Sequence, residues 1–128
     1  MPGVAVVFFR EVEGGVPVLA WLTELRARDS RAFAKCVGRI SRLAELGHEL
    51  RRPEADVLRI GIRELRMRVG RVQLRILYFL YGRATAVLVH ALTKESEDPT
   101  IDIERAIARK GMFYESPIRH TYQEDFDN

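Results

Sequence analysis

Apolar residues recur with two different periods along this chain, and the changes of period divide it into elements. VAVVFF (residues 4–9) is β-branched and aromatic and is followed by charges and glycines, which predicts a first strand. In VPVLAWLTELRARD, Pro17 stands near a helix start and Leu19, Leu22 and Leu25 return at helical spacing beside Trp21. DSRAFAKCVGRISRLAELG predicts a second helix with Asp29 or Ser30 as cap and Gly47 as stop; its stripe is Phe33, Cys36, Val37, Ile40, Leu43 and Ala44. The two helices read as a hairpin covering a sheet. HELRRPEADVLRIG, broken by Pro53, reads as a long loop.

Beyond that loop the period becomes two. With Gly70-Arg71 as a two-residue turn, Val69 faces Val72, Met67 faces Leu74 and Leu65 faces Ile76 on one apolar face. The other face then pairs Arg68 with Gln73, Arg66 with Arg75 and Glu64 with Leu77. A second turn at Gly82-Arg83 returns ATAVLVHALTK along the preceding strand, bringing Tyr78 opposite Val87 and Arg75 opposite His90, with Lys94 further along the His90 side. Arg66, Arg75 and His90 would then form a row across three strands, and a slip of one residue would destroy it. EDPTIDIERAIARKG predicts a last helix, capped by Thr100 or Asp98, stopped by Gly111, and buried through Ile103, Ala106 and Ile107.

These elements predict one α+β domain over residues 1–111. Its antiparallel sheet has about four strands, with the N-terminal helical hairpin and the C-terminal helix packed on it. An acidic tail, 112–128, follows. A length of 128 residues with 47% hydrophobic and 30% charged residues suits one globular domain. No apolar run approaches the about 18 residues of a membrane span. The N-terminus lacks the basic stretch of a secretory signal, so a cytoplasmic location is expected. Cys36, the one cysteine, excludes an internal disulfide and reads as a core residue.

Charge changes the picture more than composition does. Residues 51–83 hold nine Arg against Glu54, Asp56 and Glu64, whereas residues 95–128 hold nine acids against four bases. A basic block of this kind is the footprint of a polyanionic partner. Arg outnumbers Lys eighteen to three, which suits bidentate phosphate contacts. The three histidines lack ligand spacing, and neither a phosphate-binding glycine loop nor a nucleophile elbow is present, so no metal or cofactor is expected.

GIRELRMRVGRVQLRILYF, VLVHALTKESEDP and IDIERAIAR, in this order and spacing, resemble the phage-derived Gp49-like proteins. These are also described as HigB-type toxins of the RelE/ParE superfamily. The resemblance spans roughly residues 17–110. It implies a RelE-like toxin, one of a type II toxin–antitoxin pair, that cleaves messenger RNA on the ribosome and is held inactive by a cognate helix-turn-helix antitoxin. Neither membrane association nor direct DNA binding by the toxin alone is expected. By position, Arg66 and Arg75 match basic sites of the family pattern, and Lys94 matches the first of its usual two lysines. The second lysine is Glu95 here, Leu92 replaces a common phenylalanine, and the spacing to Pro99 is slightly short.

RNA carries its own nucleophile, the 2′-OH, so cleavage needs alignment, transition-state charge stabilisation and proton transfer, without a metal. Arg75, Arg66 and Lys94 would clamp phosphate, His90 would move the proton, and Arg68, Arg71 and Arg63 would bind RNA. Glu64 is a second candidate base. Each has a plainer reading: Arg75 paired with Glu64, His90 hydrogen-bonded near Leu92, the turn arginines solvated. Tyr78 reads as core, whereas Tyr81 and Tyr114 could stack on a base. Leu77, Phe79 and Leu88 would be antitoxin contacts if no helix buries them. Two alternatives to a nuclease stay open: a toxin that inhibits a protein such as DNA gyrase, and a degenerate relative that only binds antitoxin.

Overall fold

The computed structural model describes residues 3–93 and 99–123. Its elements in chain order are β1 (Ala5–Phe9), α1 (Pro17–Arg28), α2 (Ser30–Leu46), β2 (Ala55–Val57), β3 (Arg63–Val69), β4 (Val72–Tyr81), β5 (Thr85–Thr93), α3 (Thr100–Glu115) and β6 (Thr121–Tyr122). The strands form one six-stranded sheet in the order β2-β3-β4-β5-β1-β6.

Local chemistry explains both N-terminal helices. Pro17 occupies the first turn of α1, where an amide hydrogen would be unpaired anyway. Asp29 is a single extended residue between α1 and α2; its amide closes α1 on the Leu25 carbonyl, and its carboxylate accepts from the Ala32 amide at 3.1 Å. Gly47 ends α2 with a φ of +54° that a side chain would resist. Val18, Leu22 and Leu25 of α1, and Ala32, Cys36, Ile40 and Leu43 of α2, all pack into one core with Phe8, Leu65, Met67, Leu74, Ile76, Tyr78 and Leu88. At about 1.5–3 kcal/mol per large apolar side chain buried, this layer dominates the fold's stability.

A second, smaller core lies on the opposite face of the sheet. Ala106 and Phe113 of α3 cover Val7, Phe9, Leu77, Phe79, Val87 and Val89 there. α3 packs on β4 and β5, and the far halves of β3 and β4 carry arginines rather than apolar residues on that face.

Several expectations need correction. Among the described residues the sheet has six strands rather than about four, because β2 lies inside the stretch read as a loop and β6 inside the stretch read as a tail. Strands of three and two residues are too short for alternation to reveal. It is not wholly antiparallel either: β1 runs parallel to β5, inserted between β5 and β6. The last helix is also longer than expected. α3 continues through Gly111 to Glu115, and Phe9 pairs with Thr121, so residues 112–122 belong to the fold.

The β3–β4 register is the expected one throughout, turning at Gly70 with φ +61°. The β4–β5 register is not. Tyr81 pairs with Thr85, so the turn holds three residues, and a bulge between Leu77 and Tyr78 shifts the ladder once more. Arg75 therefore faces Leu92, and His90 faces Leu77. Two one-residue shifts restore the original parity, which leaves His90 on the arginine face but two places along. Leu88 moves to the other face and, with Leu77 and Phe79, is buried by the chain's own helices, so none of the three is an exposed antitoxin contact.

Candidate functional site

Arg66 and Arg75 stand directly opposite each other on β3 and β4, an arrangement that like charge alone would disfavour. Glu64, on the same face two residues before Arg66, resolves it. Arg75 Nη1 donates to Glu64 Oε1 at 2.6 Å, and Arg66 Nε donates to Oε2 at 2.9 Å. Arg66 Nη2 also donates to Asp56 Oδ2 at 2.8 Å, and Arg75 Nη2 to Gln73 Oε1 at 3.1 Å. The Glu64 side chain is only 6% exposed, against 16% for Arg75 and 34% for Arg66, so the acid lies beneath and the bases above.

A cleft of about 340 Å³ opens beside these arginines, where β2 ends and leaves β3 unpaired. Lys35 and Arg39 from α2 line one side, and Arg66, Arg68 and Arg75 the other; Glu54 is the lining acid. Arg39 Nη1 donates a short hydrogen bond to the Arg66 carbonyl, taking the acceptor that a longer β2 would have covered. Glu54 is held by Arg42, whose Nε and Nη2 donate to its two oxygens at 3.0 Å. That paired contact, ahead of the Arg42 and Arg39 charges, holds the Glu54 carboxyl below its ordinary pKa. Asp56 is held low likewise, chiefly by Arg52, and both acids stay ionised near neutrality.

His90 is differently placed. Its Nε2 lies 2.7 Å from Asp102 Oδ1, and its Nδ1 lies 3.2 Å from Arg109 Nη1. A guanidinium can only donate, so Nδ1 accepts and Nε2 carries the proton toward Asp102. Burial pushes the His90 pKa below 6.5, against the raising influence of Asp102, with Arg109 and Arg105 lowering it further. Arg109 also donates to the Val89 carbonyl at 2.7 Å and stands 3.6 Å from Glu11. Both ring nitrogens thus serve to anchor α3 to β5, and the expected assembly of Arg66, Arg75 and His90 into one row is not present.

The other sequence-predicted residues divide as follows. Arg68 is exposed on the arginine face, its Nε donating to the Gly70 carbonyl at 3.0 Å, and Arg71 is exposed in the adjoining turn. Arg63 lies on the opposite face, opposite Tyr78 across the ladder, because odd-numbered β3 residues face α1 and α2. Lys94 and Glu95 lie outside the described residues. Tyr78 is core, while Tyr81 packs on Tyr114 and Phe113, and Tyr114 also on Phe79. Sequence reasoning missed Lys35 and Arg39; their i, i+4 spacing beside the α2 apolar stripe was the available signal.

Fold and cleft together define a small α+β protein with a cationic groove at an open sheet edge. The chain belongs to the family described as phage derived protein Gp49-like (DUF891), whose profile matches residues 21–112. This family is associated with the toxins of toxin–antitoxin pairs. No curated protein matches the chain.

Proposed function

We propose that this protein is the toxin of a type II pair and acts as a ribosome-dependent messenger-RNA endonuclease. The observation that carries the reading is the cleft in which Lys35, Arg39, Arg66, Arg68 and Arg75 converge against one lining acid. A phosphodiester entering it meets Arg75, held by Glu64 and Gln73 so that little reorganisation is needed when charge grows in the pentacoordinate transition state. Arg66, Arg68 and Arg71 steer the RNA backbone. Glu64 is the candidate base for the 2′-OH, because it is the carboxylate that both Arg66 and Arg75 contact, and a carboxylate oxygen can accept a proton whereas the surrounding guanidinium groups can only donate. Lys94, which follows β5 directly in the chain, adds positive charge under this reading. His90 supplies none of these steps while Asp102 and Arg109 hold it.

The partners under this proposal are the ribosome, messenger RNA and a cognate helix-turn-helix antitoxin, in the cytoplasm. Among the described residues no helix is long and apolar enough to cross a membrane. Inducing the wild-type protein should arrest growth and produce new messenger-RNA ends by primer extension. Arg75→Ala should abolish both while remaining folded, and unchanged toxicity in that folded variant overturns the assignment.

One observation favours a second reading. Arg66 and Arg75 are already neutralised by Glu64 and Asp56, so the groove would also suit a toxin that blocks a protein target such as DNA gyrase. Growth arrest with no new RNA ends, together with loss of supercoiling activity, would select it.

A further inference from the structure

The cleft at the other side of β2 holds a feature that the toxin reading does not use. Tyr78 is wholly buried, and its hydroxyl makes no well-formed hydrogen bond among the described residues. Buried hydroxyls in native proteins are nearly always satisfied, so an orphan marks a place where something else belongs. The residue forms part of the wall of a cleft of about 320 Å³ whose rim carries His48, Glu49, Arg51, Asp56 and Arg63. That volume lies at the lower end of the range for small-molecule sites.

The chemistry of the missing partner follows from the groups present. A phenol can donate or accept: Arg63 approaches the Tyr78 oxygen closely enough, through its charge and then a hydrogen-bonding contact, to oppose the pKa rise caused by burial, but it offers only donors and leaves the phenol proton without an acceptor. Arg63 forms no ion pair among the described residues, whereas Asp56 is occupied by Arg52 and Arg66. His48 is engaged with the Gly82 carbonyl at 3.2 Å. Two donors, the Tyr78 hydroxyl and the Arg63 guanidinium, therefore converge with no acceptor within hydrogen-bond distance of the Tyr78 proton among the described residues, the rim carboxylates of Glu49 and Asp56 included.

We propose that this cleft binds a small molecule through a carboxylate or phosphate oxyanion, which accepts from the Tyr78 hydroxyl and the Arg63 guanidinium together. A planar guanidinium presents paired donors to such a group, and Arg51 at the rim adds charge. Arg63 and Tyr78 belong to the α1/α2 face of the sheet, whereas Arg66, Arg68 and Arg75 share the α3 face, so the site goes beyond the nuclease proposal.

Two probes distinguish the possible headgroups: inorganic phosphate and malonate, each titrated into the full chain at constant ionic strength with chloride as reference, followed by backbone amide shifts. Saturable shifts at Ala55, Arg63 and Tyr78 with either oxyanion support the proposal, and the stronger probe identifies the headgroup class. Tyr78→Phe keeps the ring and removes the orphan, so it should melt no lower than wild type without added oxyanion, yet bind on the order of tenfold more weakly. Arg63→Gln should weaken binding similarly. The proposal is overturned by absence of saturable binding with both probes, by equal binding in Tyr78→Phe, or by a crystal structure in which an ordered water alone satisfies the hydroxyl.

Discussion

Arg66 and Arg75 face each other across the β3–β4 ladder, and one nearly buried carboxylate, Glu64, binds both guanidinium groups. The carboxylate converts a repulsive pair into a preorganised cluster. It also sets a threshold that any incoming phosphate must meet, because the phosphate shares donors that already have an acceptor.

Glu64→Gln tests both halves of that statement. It keeps the size of the side chain and removes the charge, leaving two facing arginines with only Asp56 and Gln73 to engage. The variant should lose about 2–3 kcal/mol, less than for a fully buried broken pair because Arg66 is one-third exposed and keeps Asp56. Raising salt should recover part of the loss by screening the repulsion, and denaturant melts at two ionic strengths will show it. If Glu64 is the base, the variant also binds RNA more tightly while cleaving it more slowly.

His90 predicts a particular pH dependence. Burial lowers its folded pKa beneath 6.5, so as pH falls past about 6.5 the unfolded chain takes up the proton first. Its contribution to stability is complete above that value and is lost as pH falls toward the folded pKa. The groups facing it are Asp102, Arg105 and Arg109 from α3. His90→Asn leaves an acceptor for Arg109 but no donor reaching Asp102, and should cost about 1–3 kcal/mol at pH 7.5. The stability slope between roughly pH 6.5 and 5 should flatten in this variant. An unchanged slope would mean that His90 is not held neutral by the fold.

Much of this architecture was legible in the sequence, and the failures share a cause. Pro17, Asp29 and Gly47 act within a few residues of themselves, so they mark helix ends without knowledge of the rest of the chain. The β3–β4 register followed because a two-residue turn fixes it and one face is apolar. The β4–β5 register depends on a three-residue turn and on a bulge that lets Val89 and His90 both meet α3, neither of which leaves a local signal. Likewise Lys35 and Arg39 join the arginine cleft only because α2 crosses the open end of β3, a tertiary fact. Glu64 as the counter-charge of Arg75 was readable, since same-face neighbours on adjacent strands are the unit of pairing.

Cys36 should be inert until the protein unfolds. It has no solvent exposure, and burial pushes its thiol up to about 12, against an opposing influence from Arg39. At pH 8 this leaves roughly a thousandfold less thiolate than an ordinary cysteine would have. Thiol-reagent labelling of the native chain should then proceed at the rate of global opening, rising with denaturant in parallel with the melt. Rapid labelling in the absence of denaturant would show that α2 separates locally from the sheet.

The groove itself is tested most directly by the salt dependence of RNA binding. A cation that touches single-stranded RNA contributes about 0.7 to the slope of log affinity against log salt, whatever the sequence bound. Lys35→Gln and Arg68→Gln remove exposed cations that line the cleft without breaking the Glu64 cluster, so each should reduce the slope by about that amount and lower affinity evenly across sequences. Arg39→Gln is a less clean probe, since its bond to the Arg66 carbonyl also supports the β3 edge. Arg83, exposed in the turn at the other end of β4, serves as control, and its replacement by Gln should leave the slope unchanged. Equal reductions at positions 35, 68 and 83 would mean that RNA is held by diffuse surface charge, and the cleft would lose its claim to be the binding site.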